Sequence, residues 1–177
     1  MIVRQSIDVP APVGEVFRFV TCTENYPRYI PAYESGAVLA SAEGRPLTFR
    51  WRARVLGLPC SAEETIVERQ EDERIRYQGR MMGVPFESSM ETAAVGDGTR
   101  FTVTVRYELP WRVATRGLDW ALQPLVEREV ATSLGRLRSL FGGSAAANQL
   151  ESVRGTYAFW GRHPLLYAAQ DWITFAG

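Results

Sequence analysis

A carboxylate on the dry side of a strand is costly, and Glu64 is placed to be one. In Phe49-Arg50-Trp51-Arg52-Ala53-Arg54-Val55, aromatic and aliphatic residues alternate with arginines, so one face of the segment is dry and the other wet. Folding the chain back at Gly57-Leu58 sets Val55 opposite Cys60, Ala53 opposite Ala62, Trp51 opposite Glu64 and Phe49 opposite Ile66, with Arg52 and Glu63 together outside. An acid between Trp51 and Tyr77 is poorly solvated when charged, which raises its pKa toward the range useful for general acid or base chemistry. Tyr77 and Tyr107 are then the phenols that hold an oxygen nearby. Slipping the strand by one residue instead turns Glu64 to solvent as one more surface acid.

Asp119 is the second acid in an apolar setting. From about Val113 to Phe141 the pattern is helical, with Leu118, Leu122, Val126, Val130, Leu137 and Leu140 on one side, and Asp119 falls among them near Val126, Leu137 and Ser133. The alternative is capping, because a helix starting near Gly117 favours a carboxylate in its first turn. Pro124 should bend or break this helix, and Gly142-Gly143 should end it.

The elements that must position these groups are mostly strands. Ile2 to Val9 reads as a first strand, Pro12 opens a short helix with Val13, Val16, Phe17 and Val20 on one side, and a Pro- and Tyr-rich turn from Glu24 to Tyr33 leads to a strand near Glu34 to Ala42. Five more strands follow from Leu47 to Leu109, making seven. Continuing the register across them gives an inward row Trp51, Glu64, Tyr77, Met90, Val105, flanked by Phe49, Ile66, Ile75, Thr92, Val103 and by Ala53, Ala62, Gly79, Ser88, Tyr107. The small residues of the last row leave space against their large neighbours, as in a sheet that walls a ligand cavity. A large apolar residue at Gly79 or Ala62 should then fill that space with little loss of stability. The expected binding residues are Trp51, Ala62, Gly79, Ser88, Met90, Thr92 and Tyr107 on the sheet, Tyr29 and Tyr33 on the turn, and Trp120 on the helix.

Composition excludes several functions. All twenty basic residues are arginine, which removes Schiff-base and P-loop chemistry and is expected of a high-GC bacterium. Formal charge is zero and the sheet arginines interleave with glutamates, so no nucleic-acid partner is expected. Cys22, Cys60 and a lone His163 have no metal-ligand spacing, and neither a metal nor another cofactor is expected. The N-terminal segment is strand-like rather than a leader, which predicts a cytoplasmic protein with no transmembrane segment. Residues 143–177 carry Tyr157, Phe159, Trp160, Leu165, Leu166, Tyr167, Trp172, Ile173 and Phe175, an apolar load expected to dock as helix on the domain, to form a homodimer or to meet a membrane surface.

The chain resembles the START-like superfamily of polyketide cyclases/dehydrases and lipid-transport proteins. The residues that carry the likeness are Ser6-Ile7-Asp8-Val9-Pro10-Ala11-Pro12 running into Val16-Phe17, Tyr26-Pro27-Arg28-Tyr29-Ile30-Pro31, Asp72-Glu73-Arg74-Ile75-Arg76-Tyr77 and Gly98-Thr99-Arg100-Phe101-Thr102-Val103. The resemblance spans residues 1–142 and implies an α+β helix-grip fold, a curved seven-stranded antiparallel sheet wrapped around a long C-terminal helix, with the tail as an extension. It also implies a pocket for a hydrophobic small molecule. Polyketide cyclases of this kind often hold an arginine inside the pocket, whereas arginines 50, 52, 54, 74, 76, 80 and 106 all point outward here. Two functions remain: a cofactor-independent cyclase or dehydratase, a lyase or isomerase of natural-product or antibiotic biosynthesis acting on a polyketide-like intermediate with Glu64, Tyr77 and Asp119 as catalytic groups, or a non-catalytic carrier of a lipid, quinone or similar molecule.

Overall fold

The computed structural model of the chain describes residues 1–42, 45–55, 57–107 and 116–142, with the backbone alone at 42, 45, 46, 55, 58 and 116–122. The strands are β1 (Ile2–Val9), β2 (Tyr33–Ala42), β3 (Arg45–Val55), β4 (Leu58–Gln70), β5 (Arg74–Met81), β6 (Val84–Val95) and β7 (Gly98–Tyr107). They form one antiparallel sheet in the order β1-β7-β6-β5-β4-β3-β2. Between β1 and β2 the chain makes helix α1 (Val13–Thr21), a 3₁₀ turn at Thr23–Asn25 and the single-turn helix α2 (Tyr26–Tyr29), and after β7 comes the long helix α3 (Arg116–Gly142). This is the expected α+β helix-grip arrangement.

Local chemistry accounts for the helices. The Pro12 carbonyl accepts from the amides of Glu15 and Val16 at 3.0 and 3.1 Å, which starts α1. Its apolar side, Val16, Phe17, Phe19 and Val20, is buried against the sheet and α3. Leu134, Leu137 and Phe141 are the buried side of α3, and the rings of Phe141 and Phe19 meet edge-on at 5.3 Å. The Gln5 side-chain amide donates to the Glu127 carbonyl at 2.9 Å, tying α3 to β1. Pro124 lies within α3, so the expected break is absent.

The alternation assigned each strand's dry face correctly, but the predicted rows are displaced. Trp51 stands opposite Ala62 rather than Glu64, Tyr77 opposite Ile66 and Ser88, and Met90 opposite Ile75 and Val103. Each hairpin of β3 through β7 is two residues out of the predicted register. Three of the turns are tighter than expected: Val55 faces Leu58, Met81 faces Val84 and Val95 faces Gly98, leaving two-residue loops. The β4–β5 turn is wider, with Gln70 facing Arg74. At the β5–β6 loop both residues, Met82 (φ 50°) and Gly83 (φ 84°), take the left-handed conformation that matches strand twist. A two-residue slip keeps every side chain on its face while changing its neighbours across the strand.

A bulge in β4 between Ile66 and Glu68 reverses the faces beyond it. Arg69 consequently pairs with the buried Ile75, and its guanidinium lies over the Phe17 ring, 5.4 Å from the centroid. The expectation of outward strand arginines did not include this one.

Candidate active site

The inner-face row that contains Glu64 reads Phe49, Glu64, Gly79, Phe86, Tyr107 across β3 to β7. Glu64 is 7% exposed. Trp51, its diagonal neighbour on β3, donates its indole N–H to Oε1 at 3.1 Å. Burial pushes the Glu64 pKa up from 4.5 to about 7, and the Trp51 hydrogen bond only partly opposes it. The wet-face glutamates differ in kind: Glu63 pairs with Arg50 at 2.9 Å, and Glu68 lies between Arg74 and Arg76, which hold its carboxyl below the usual range. At neutral pH Glu64 is therefore close to half-ionised, able to give or take a proton.

Tyr77 comes from the next inner-face row, Ile66, Tyr77, Ser88, Val105. It is 2% exposed and packs edge-on against Phe49 at 5.7 Å. Tyr26 arrives beside it from α2, near enough for the two phenols to act on one another's ionisation. Burial raises both phenols, and the Glu64 charge raises them further, so the three groups form one electrostatic cluster. Sequence reasoning missed Tyr26; the signal was its position three residues before Tyr29 in a helical turn, which puts the two rings on one side. Trp51, Ile66, Ser88, Met90, Val103 and Val105 on the inner face are only half-buried, leaving largely apolar surface accessible on the side that α3 faces.

The remaining expected residues are distributed around this cluster. Ala62 is buried with Phe86 and Tyr107, and the Tyr107 hydroxyl lies 3.0 Å from the Met1 sulfur. Thr92 Oγ1 donates to the Asp72 carbonyl at 2.8 Å, fastening β6 to the β4–β5 turn. Tyr29 donates to the Val20 carbonyl at 3.1 Å, and half-buried Tyr33 meets Tyr26 edge-on at 5.8 Å. The side chains of Asp119 and Trp120, and all of the tail 143–177, lie outside the described residues.

Gly79 corrects an expectation. A Cβ on it would sit 2.2 Å from the Glu63 carbonyl oxygen and 2.8 Å from the Glu64 Cβ, so the space beside it is occupied by the neighbouring strand and is not cavity. The missing side chain instead lets β4 and β5 close around Glu64. A groove of about 350 Å³ on β5, β6 and β7 touches Gly79, Phe86 and Arg106 but not Glu64, Trp51 or Tyr77.

Among the described residues no helix is long and apolar enough to cross a membrane. No curated protein sequence matches the chain. Solved structures do. TTHA0849 from Thermus thermophilus is 26% identical, with 78% of this chain and 95% of that one aligned at a TM-score of 0.66. A START superfamily protein from Mycobacterium smegmatis is 20% identical over 86% of this chain and 98% of that one, TM-score 0.60. The Zhui aromatase/cyclase from Streptomyces sp. R1128 is 14% identical over 78% of this chain and 92% of that one, TM-score 0.65. At 20% and 14% identity the last two share the fold. The profile of polyketide cyclase / dehydrase and lipid transport proteins matches residues 1–142, and with its motifs lying on the strands and helices just described, the chain belongs to that family.

Proposed function

We propose that this protein is a cofactor-independent cyclase or dehydratase that takes a hydrophobic, polyketide-like intermediate between the sheet and α3. The single observation that carries this reading is Glu64, a carboxyl group on the inner face, 7% exposed, held by an indole N–H rather than by an arginine. A site that only carried an apolar ligand would gain nothing from such a group, whose burial costs several kcal/mol if charged and unpaired. The family spans polyketide cyclases and dehydrases as well as lipid transport, and the Zhui protein of the same fold is an aromatase/cyclase, which supports the catalytic branch.

In this reading Glu64 removes a proton from a methylene flanked by carbonyls. The carbon nucleophile attacks another, more distant carbonyl of the same chain, forming the C–C bond, and the oxygen of that carbonyl takes up the proton that Glu64 removed and becomes a hydroxyl. A second C–H deprotonation, with the proton passed to that hydroxyl, releases water. Tyr77 donates to the oxygen that carries the developing charge. Trp51, Phe49 and the half-buried inner-face residues fold the substrate into a reactive shape, an entropic contribution that can amount to about 7–11 kcal/mol in well-oriented intramolecular reactions. Asp119 stays a second proposed acid on sequence grounds.

Incubation with a linear poly-β-ketone thioester mimic, followed by mass spectrometry, tests the reading. Product lighter by one water, formed faster than without protein, is the expected result. Retention and release of unchanged mimic would instead assign the carrier function.

A further inference from the structure

The inference rests on the reading above and concerns the one hydrogen bond that holds the Glu64 carboxyl. Trp51 stands opposite Ala62, whose small side chain leaves the indole room to reach along β4 to Glu64, two residues further on the same face. The ring packs against two buried groups at once, Phe49 and Tyr77 in one, Phe86 and Tyr107 in the other. Its direction is therefore fixed by packing before any ligand arrives. The indole N–H donates to Oε1 of Glu64 at 3.1 Å. Gly79, directly across on β5, has no side chain to offer, and Oε2 has no hydrogen-bond partner among the described residues and is not wholly buried. We propose that Trp51 is a positioning residue: its N–H occupies Oε1 of Glu64 and so leaves Oε2 as the oxygen that takes the proton from a bound substrate.

A neutral donor suits this task better than an arginine. Arg74 and Arg76 fix Glu68 equally well, but they hold its carboxyl below the usual range, where it gives no proton at neutral pH. The indole favours the charged form only enough to oppose burial in part, so Glu64 still passes between its two forms. The other ionisable groups of the cluster are the phenols of Tyr77 from β5 and Tyr26 from α2, while Phe17 from α1 and Val126 from α3 bring no charge. Arg69, which acts on Tyr77, is held by two hydrogen bonds to Glu71 at 2.9 and 3.3 Å.

Ligand-free protein, labelled at the indole nitrogens and the glutamate carboxyl carbons and titrated by NMR, tests the proposal. Glu64→Gln identifies the Glu64 carboxyl by its absence. In the wild-type protein one of the five indole protons should move downfield as pH rises, with the midpoint of that carboxyl, because ionisation strengthens the bond it accepts. The same indole proton should stop titrating in Glu64→Gln, a result that needs no folded Trp51 variant. Trp51→Phe should raise the carboxyl midpoint by roughly one to two pH units, the scale of one hydrogen bond to a charged group. The pH limb of turnover on a linear poly-β-ketone thioester mimic should follow it upward. Thr99→Val removes a buried hydroxyl elsewhere, one that donates to the Ala11 carbonyl, and should lower stability without moving either midpoint. Indole protons that all ignore the Glu64 titration, an unchanged or lower carboxyl midpoint in Trp51→Phe, or a turnover limb that does not follow it overturns the proposal and leaves the function proposed above standing. A wild-type Glu64 that titrates with the exposed glutamates would overturn that function as well.

Discussion

Glu64 penalises the fold when it ionises. Its pKa in the folded chain is about 7 against 4.5 for the free side chain, so the folded state binds the proton more tightly than the unfolded state does. The penalty is absent below about pH 4.5, grows through the interval and is complete above about pH 7. A difference of this size corresponds to a penalty on the order of 3 kcal/mol at alkaline pH. Glu64→Gln, which keeps an acceptor for Trp51, should therefore leave stability near pH 4.5 little changed and raise it above pH 7, measured by urea unfolding across that range. Identical pH profiles for the two proteins would show that the carboxyl is solvated. Exposed Asp8 and half-buried Glu68, whose arginine partners lower their pKa values, act in the opposite sense: their contribution is present above the unfolded value and is lost on acidification.

At the scale of elements, Gly79 is the most demanding position. Any side chain there meets backbone of β4, which cannot rotate away as a side chain would. Gly79→Ala should destabilise by about 1–3 kcal/mol, the range of overpacking, and more if the β4–β5 pair separates. Thermal melts would detect this, and a melt equal to wild type would mean that the strands have room to part. The same position shows how far the sequence could be read. The alternation of Phe49, Trp51 and Ala53 with arginines, and of Ala62, Glu64 and Ile66 with their wet neighbours, is a period-two signal that survives any even slip, so Glu64 was correctly placed on the dry face. Which residues flank it across the sheet depends on loop length, and the strand-to-turn boundary at Met82-Gly83 is set by a left-handed Met that its residue type does not advertise. The row of small residues dissolved for this reason. Arg69 was invisible for another: a bulge inserts one residue and inverts the pattern beyond it, with no glycine to mark the place. Tyr26 lay in a segment recognised as a Pro-rich turn, where no sheet register reaches.

At the scale of the whole molecule, the sheet and α3 build the core at the Phe141 end, where Phe19, Phe101, Leu134 and Leu137 pack together, while half-buried inner-face residues lie around the Glu64 cluster. A second buried group, Phe17, Phe49, Ile75 and Tyr77, adjoins Glu64, so the proposed site shares residues with the core. Family and fold follow from features spread over residues 1–142, whereas the chemistry depends on a few side chains. The most direct test of that chemistry compares wild-type protein with Glu64→Gln on the same linear poly-β-ketone thioester mimic, with binding and water-releasing turnover measured separately. Turnover lower by about 10²-fold or more with binding intact is the predicted result, the scale of one general acid or base. Equal turnover in the two proteins would contradict the assignment of Glu64 as the group that moves the proton.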